Sequence, residues 1–163
     1  MSEAKGWDNA FTATSPYGTV KGSPSYAGAL SFMRRKYSQD LEGVDVAVAG
    51  IPLDTATTHR PGARFGPRAV RAASTGISWE RPWPWEFDPF DTLAVVDYGD
   101  CEFDPGMPET IVPFVEEYFD RILDAGAASL MIGGDHFVTY PVLRSYAKKF
   151  GPLSLVHFDA HSD

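Results

Sequence analysis

The sequence is poor in cysteine, in basic residues and in long apolar stretches, and each shortage excludes a class of protein. Cys101 is the single cysteine among 163 residues, so an internal disulfide is impossible and the reducing cytoplasm is the expected location. Lysine and arginine number 14 against 22 acidic residues, and the formal net charge of −8 argues against nucleic acid as a partner. No apolar stretch reaches about 18 residues, so a membrane partner is not expected either.

The composition suits a globular protein with a substantial core. Apolar residues make up 44% of the chain and charged residues 22%, which is the balance of an ordinary folded domain. The first part of the chain is rich in Gly, Ser and Thr, so residues 1–25 are expected to form an N-terminal arm. Residues 26–163 are expected to belong to a single domain.

Apolar runs and amphipathic segments alternate along that domain. Short apolar runs predict buried strands at 44–49, 93–96, 129–132 and 153–156. Helical spacing and capping residues predict helices at 24–34, 66–75, 108–125 and 140–149. This alternation predicts the α/β class, with an open, mostly parallel sheet flanked by helices.

Several polar or aromatic segments between these elements have two interpretations. The two carboxylates of the segment 97–100 are either acid/base groups at a strand end or, as favoured, part of a turn with a structural role. Arg68 and Arg71 are interpreted as a solvated or ion-paired helix face. Residues 54–64 follow a strand end, where open α/β sheets place ligands, so this loop is a candidate site wall, although a single loop histidine such as His59 is weak evidence. The aromatic segment 77–90 is either core packing, which is favoured, or a subunit contact.

The last eight residues carry the strongest functional signal. If 153–156 begins a strand, then His157, Asp159, His161 and Asp163 share one face. Desolvating so many ionisable groups is costly unless a cation compensates their charge. Residues two apart on a strand are separated by roughly 6.6 Å, whereas metal–ligand bonds measure about 2.0–2.2 Å. A pair of ions about 3.5–4 Å apart therefore suits the spacing better than one ion.

A second polar motif, Gly133-Gly134-Asp135-His136, follows the neighbouring predicted strand. Because parallel strands end on the same edge of a sheet, the two motifs are expected to meet there. The candidate ligands contain no thiolate and suit manganese or another divalent first-row ion: His136, Asp159, His161 and Asp163. Asp135 and His157 are expected to contact these ligands rather than the metal, and His157 is expected to be a buried core histidine. The alternative is a hydrogen-bonded polar cluster that caps the sheet edge.

Other catalytic chemistries find less support in the sequence. A serine triad lacks the strand–turn–helix elbow that presents its nucleophile. Cys101 has no histidine nearby and is expected to be a small buried residue. Gly62, Gly66 and Gly76 do not have the spacing of a dinucleotide-binding fingerprint.

The two polar motifs together resemble the leading metal motifs of the ureohydrolase family, which comprises arginases and agmatinases, and the agmatinase branch is the closer match. Further segments carry the resemblance: Gly50-Ile51-Pro52 with Asp54, residues 62–71, Trp79-Glu80, residues 96–100, residues 134–139 and His157-Phe158-Asp159. The resemblance implies an arginase-like three-layer α/β/α fold. It also implies a cytoplasmic homo-oligomer.

The resemblance implies specific roles for the candidate ligands. His136 and Asp163 would hold one manganese ion, His161 would hold the other, and Asp159 would bridge both. A hydroxide between the ions would attack the guanidinium carbon of agmatine, giving urea and putrescine, as in polyamine metabolism. The expected substrate is thus a small cationic guanidino compound.

Family members carry a further Asp-x-Asp motif and a proton shuttle beyond the second metal motif, whereas this sequence ends at Asp163. The sequence is therefore expected to be the N-terminal part of a longer enzyme, and the catalytic proton shuttle is expected downstream. Two alternatives stay open. The substrate could be another guanidino compound such as guanidinobutyrate, or the chain could be a non-catalytic metal-binding fragment.

Overall fold

The computed structural model describes residues 14–15, 18–19, 26–77 and 83–161, so the predicted arm lies mostly outside the described residues. In these ranges the strands are β1 (Thr14–Ser15), β2 (Gly18–Thr19), β3 (Lys36–Tyr37), β4 (Val46–Gly50), β5 (Val95–Asp100) and β6 (Ala128–Ile132). The helices are α1 (Gly66–Ser74), α2 (Pro108–Asp124) and α3 (Thr139–Phe150). Short 3-10 helices occupy Phe32–Arg34, Ala63–Phe65, Pro89–Asp91 and His136–Val138.

Four strands form a parallel sheet in the order β3-β5-β4-β6, and β1 pairs with β2 in a separate antiparallel hairpin. The central strands β4 and β5 are buried along almost their whole length, as expected of strands covered on both faces. The predicted α/β class with a parallel sheet is therefore confirmed. The predicted helices 66–75, 108–125 and 140–149 also form, with ends shifted by at most one residue.

Helices cover both faces of the sheet. Alternate residues of β4, Ala47 and Ala49, point into a core built with α2 and α3. Six α2 residues at helical spacing are buried in this core: Ile111, Val115, Tyr118, Phe119, Ile122 and Leu123. On the opposite face Val48 and Val95 pack with Phe90 and with residues of the Phe32–Arg34 turn, and α1 contacts that turn. The result is a three-layer α/β/α arrangement.

The predicted helix at 24–34 is wrong over the residues that the structure describes. Residues 26–31 are not helical, and only Phe32–Arg34 forms a short 3-10 turn with Met33 and Arg34 at positive φ. Met33 N donates to Ser74 Oγ at 2.8 Å, and Arg34 Nε donates to the Thr75 carbonyl at 3.2 Å. These contacts with the end of α1 override the local helical pattern.

The fourth strand is not the predicted one. Residues 153–161 form no strand, and the fourth position in the sheet is filled by Lys36–Tyr37 beside β5. Leu153, Leu155 and Val156 are exposed. An apolar run becomes a strand only when its backbone finds a ladder partner, and no such partner is described for this segment.

The interpretation of residues 97–100 as a turn is also wrong, because β5 continues through Asp100. Arg71 from α1 makes this possible. Its Nε and Nη2 donate to the two oxygens of the fully buried Asp97 at 2.8 and 2.9 Å, and its Nη1 donates to Asp100. Arg71 is thus buried and ion-paired, while Arg68 is exposed. The buried carboxylate of Asp97 remains inside the sheet because the guanidinium compensates its charge.

The described part of the aromatic segment is largely exposed, contrary to the favoured interpretation as core. Trp83 is 93% exposed, and Trp85 and Phe87 stack on each other at 5.4 Å in solvent, whereas Phe90 is buried. Across the parts of the chain that the structure describes, no helix has both the length and the apolar character needed to cross a membrane.

Candidate metal centre

The carboxyl ends of β4 and β6 continue side by side past the last strand residues. Ile51 N donates to the Ile132 carbonyl at 3.0 Å, Gly134 N donates to the Ile51 carbonyl at 2.9 Å, and Asp135 N donates to the Leu53 carbonyl at 2.7 Å. These bonds extend the parallel ladder into the two loops. They bring the 54–64 loop and the motif around His136 to the same sheet edge, as predicted.

Gly134 is required by this close approach. A Cβ at position 134 would collide with the backbone of Leu53, and one at Gly66 would lie 2.8 Å from the Gly133 carbonyl oxygen. The described positive-φ glycines do not include Gly133 or Gly134. The paired glycines therefore let the two backbones approach, and neither of them is needed for a positive φ.

His136 begins a 3-10 turn that follows the end of β6 at Ile132 after Gly133, Gly134 and Asp135. Asp135 is the N-cap of that turn, and its Oδ1 accepts a hydrogen bond from Phe137 N at 3.1 Å. The cap directs the chain out of the sheet at this residue. The His136 side chain is consequently half exposed at the open edge.

Asp159 is the centre of the polar cluster. Its Oδ2 lies 3.7 Å from His136 Nδ1 and 3.3 Å from His157 Nε2, while its Oδ1 lies 2.8 Å from His161 Nδ1. The His161 backbone N–H also donates to Oδ1 at 2.8 Å. The two oxygens of one carboxylate thus face different imidazoles.

The structure brings three of the four predicted ligands together: His136, Asp159 and His161. Asp163 lies outside the described residues. One ligand atom each of His136, His157 and Asp159 lies within 4.8 Å of the other two. With metal–ligand bonds of about 2.0–2.2 Å, two ligand atoms on opposite sides of one ion are about 4.4 Å apart. The observed spacing is close to that value.

His157 differs from the sequence expectation. The expected core histidine is 46% exposed in its side chain, and its ring lies 5.0 Å from that of His136. The reason is that residues 153–158 form no strand, so no pleat carries His157 inward. Its place in or behind the ligand set stays a prediction.

The electrostatics of the cluster favour an ionised carboxylate. The pKa of Asp159 is lowered chiefly by the hydrogen bond from the His161 backbone N–H, and the side chains of His161 and His157 lower it further. Asp159 is consequently a carboxylate at neutral pH. Imidazole nitrogens and carboxylate oxygens, without a thiolate, form a donor set that fits manganese or another divalent first-row ion.

A buried carboxylate also closes the neighbouring loop. Asp54 Oδ2 accepts a hydrogen bond from Gly62 N at 2.6 Å, and Oδ1 accepts one from Arg64 Nε at 2.6 Å. The Arg64 hydrogen bond is the largest cause that lowers the pKa of Asp54. His59 and Arg60, between these anchors, are exposed, so the loop can form a wall of the edge.

An open cleft of about 260 Å³ lies beside this loop, between the ends of β4 and β5, and Asp54, Arg64 and Cys101 line it. Cys101 itself is buried, as expected. Burial raises the pKa of the Cys101 thiol to about 12, so it is not a nucleophile at neutral pH.

Sequence reasoning missed the partners of Asp54 and Asp97. Arg64 follows Asp54 by 10 residues in the same loop, so an acid after a predicted strand with an arginine nearby could have indicated that pair. Arg71 precedes Asp97 by 26 residues, and no local pattern indicates that pair.

Comparisons with known proteins agree with this geometry. The arginase family model matches residues 44–163. An agmatinase of Chromobacterium violaceum is 61% identical over 140 residues, which is 85% of this chain and 44% of that protein. The chain therefore spans under half the length of this relative.

Solved structures give the same result. A hypothetical agmatinase from Burkholderia thailandensis matches with a TM-score of 0.82 and 59% identity, covering 85% of this chain and 44% of that one. The proclavaminate amidino hydrolase of Streptomyces clavuligerus matches with a TM-score of 0.76 and 40% identity, covering 86% and 46%. With its parallel sheet, its histidine and aspartate cluster and the match over residues 44–163, the chain belongs to the arginase family.

Proposed function

We propose that the protein is a manganese-dependent amidinohydrolase of the agmatinase type, which hydrolyses agmatine to putrescine and urea. One observation carries the proposal: three imidazoles surround the single carboxylate of Asp159 at the carboxyl edge of a parallel sheet. The 61% identity to an agmatinase supports the choice of reaction.

The proposed metal ligands are His136, Asp159, His161 and Asp163. A carboxylate whose two oxygens face different imidazoles suits a bridge between two ions. When bound, manganese lowers the pKa of water and so supplies a nucleophile at neutral pH, which the unreactive guanidinium carbon requires.

The protein's own groups would prepare the site for this chemistry. The hydrogen bond from the His161 backbone keeps Asp159 ionised, and the Asp135 cap holds His136 at the edge. The net charge of −8 favours the approach of a cationic substrate.

A second substrate class has specific support, because a similar solved structure is an amidino hydrolase of proclavaminate. Guanidinobutyrate or another guanidino compound is therefore the alternative substrate. Agmatine carries a cationic tail and guanidinobutyrate an anionic one, so the acidic protein is expected to favour agmatine.

Urea release decides between the substrates. With manganese, kcat/KM for agmatine is expected to exceed that for 4-guanidinobutyrate at least about tenfold, which is about 1.4 kcal/mol of transition-state binding. A chelator-treated sample is the matched control and should release no urea. An equal or reversed preference would contradict agmatine as the substrate. If no guanidino compound releases urea, the proposal that the protein is a hydrolase is wrong.

The rival from another class is a non-catalytic metal-binding chain. It predicts weak binding of manganese or one ion per chain. We also propose a homo-oligomer, because Trp83, Trp85 and Phe87 expose aromatic surface that a second copy would cover. The proposed location is the cytoplasm, because the protein has a single cysteine.

A further inference from the structure

Asp135 joins two segments that are far apart in the chain. The residue is buried, its Oδ1 accepts a hydrogen bond from Phe137 N at 3.1 Å, and its Oδ2 accepts one from Ala56 N at 2.8 Å. One oxygen therefore caps the turn that begins with His136, and the other holds the loop beyond β4. Charge-assisted hydrogen bonds of this kind are stronger than neutral ones.

The Ala56 contact is the last link between the two loops. Backbone bonds join Gly134 to Ile51 and Asp135 to Leu53, and Gly134 leaves no room between them. Thr57 Oγ1 still donates to the Asp54 carbonyl at 2.8 Å, and beyond it the loop exposes His59 and Arg60. Gly62 N then donates to Asp54 Oδ2 at 2.6 Å.

We propose that Asp135 is a positioning residue that couples the loop 55–62 to the metal-binding imidazole of His136. The Asp135 carboxylate accepts hydrogen bonds from the turn that begins with His136 and from the loop 55–62. A position of His136 that favours metal binding therefore also favours the ordered loop. By linkage, bound manganese stabilises the ordered loop by the same free energy by which the ordered loop stabilises bound manganese. The inference rests on the proposed metal site and adds the loop as a coupled part of it.

Asp135→Ala removes both hydrogen bonds, and Asp135→Asn retains one carbonyl oxygen for a single N–H. Asp88→Asn is the matched control, because Asp88 Oδ1 caps the turn at Pro89–Asp91 by accepting from Phe90 N at 2.9 Å. Asp88, like Asp135, caps a 3-10 turn with its carboxylate, but it lies away from the sheet edge that carries His136.

The experiment measures manganese affinity and amide exchange of the peptide covering 54–62, with and without manganese, by calorimetry and mass spectrometry. In the unsubstituted protein, manganese is expected to slow exchange of this peptide. In both Asp135 variants the affinity is expected to fall roughly 10–100-fold, and the slowing by manganese is expected to disappear. Asp88→Asn should leave both measurements unchanged.

The outcomes separate the two proposals. If the unsubstituted protein binds no manganese, the proposed function fails and the coupling fails with it. If it binds manganese but the folded Asp135 variants bind it equally, or keep the slowing of exchange, the coupling alone is overturned. Should Asp135→Ala not fold, Asp135→Asn gives the answer.

Discussion

Replacing Arg71 with methionine is expected to destabilise the protein by about 3–5 kcal/mol. Arg71 is 7% exposed in its side chain and neutralises Asp97, which is fully buried. Burial lowers the pKa of Arg71, but the hydrogen bonds with Asp97 and Asp100 outweigh it, and the pKa is raised overall. Methionine keeps much of the apolar length of the side chain and leaves the carboxylate of Asp97 without its cation.

The effect is measured by urea denaturation, with Arg68→Met as the matched control on the same helix. Arg68 is exposed, so its replacement should change the free energy of unfolding by no more than about 0.5 kcal/mol. Equal, small effects of the two substitutions would contradict the buried ion pair as the link between α1 and β5.

Asp159→Asn is expected to abolish manganese binding and urea release while the fold persists. The substitution removes the negative charge and one of the two oxygens that face different imidazoles. Loss of a residue that merely supports a ligand costs about 10–100-fold in metal affinity, so loss of the shared ligand should cost more. Calorimetric titration with manganese measures the affinity, and urea release from agmatine measures the activity.

The control for this experiment is Asp104→Asn, which alters an exposed carboxylate that accepts a hydrogen bond from Gly106 N. It should bind manganese like the unsubstituted protein. Thermal melting should be similar for all three proteins, because asparagine has nearly the size of aspartate and the Asp159 side chain, 21% exposed, lies outside the hydrophobic core. If Asp159→Asn keeps its affinity for manganese, Asp159 is not the shared metal ligand.

The elements that the sequence predicts correctly are those whose burial pattern is local. The apolar run around Val46–Gly50 and the helical spacing of Pro108–Asp124 each indicate one type of element and one buried face. The parallel sheet follows from their alternation along the chain.

The elements that the sequence misses depend on distant partners. Arg34 and Met33 adopt positive φ because of contacts at the end of α1, and Asp97 stays in β5 because of Arg71. No pattern within a few residues contains this information. The run at 153–156 shows the reverse case, since a strongly apolar segment stays outside the sheet when it has no ladder partner.

The candidate site was predicted through its residue types and its place at the sheet edge. His136 and Asp159 come together as expected, although the alternation along a strand that suggested shared orientation is not present. Chain packing, rather than strand geometry, brings the groups together. The bond from Asp135 to Ala56 could not be predicted, because it joins residues 79 positions apart.

The number of manganese ions bound per chain tests the central claim most directly. The full-length protein, freed of metal, titrated with manganese and then cleared of excess metal, should hold two ions per chain, because Asp159 presents one oxygen to each side of the cluster. One ion per chain, or none, would contradict a two-metal centre and favour a chain that is not itself a hydrolase.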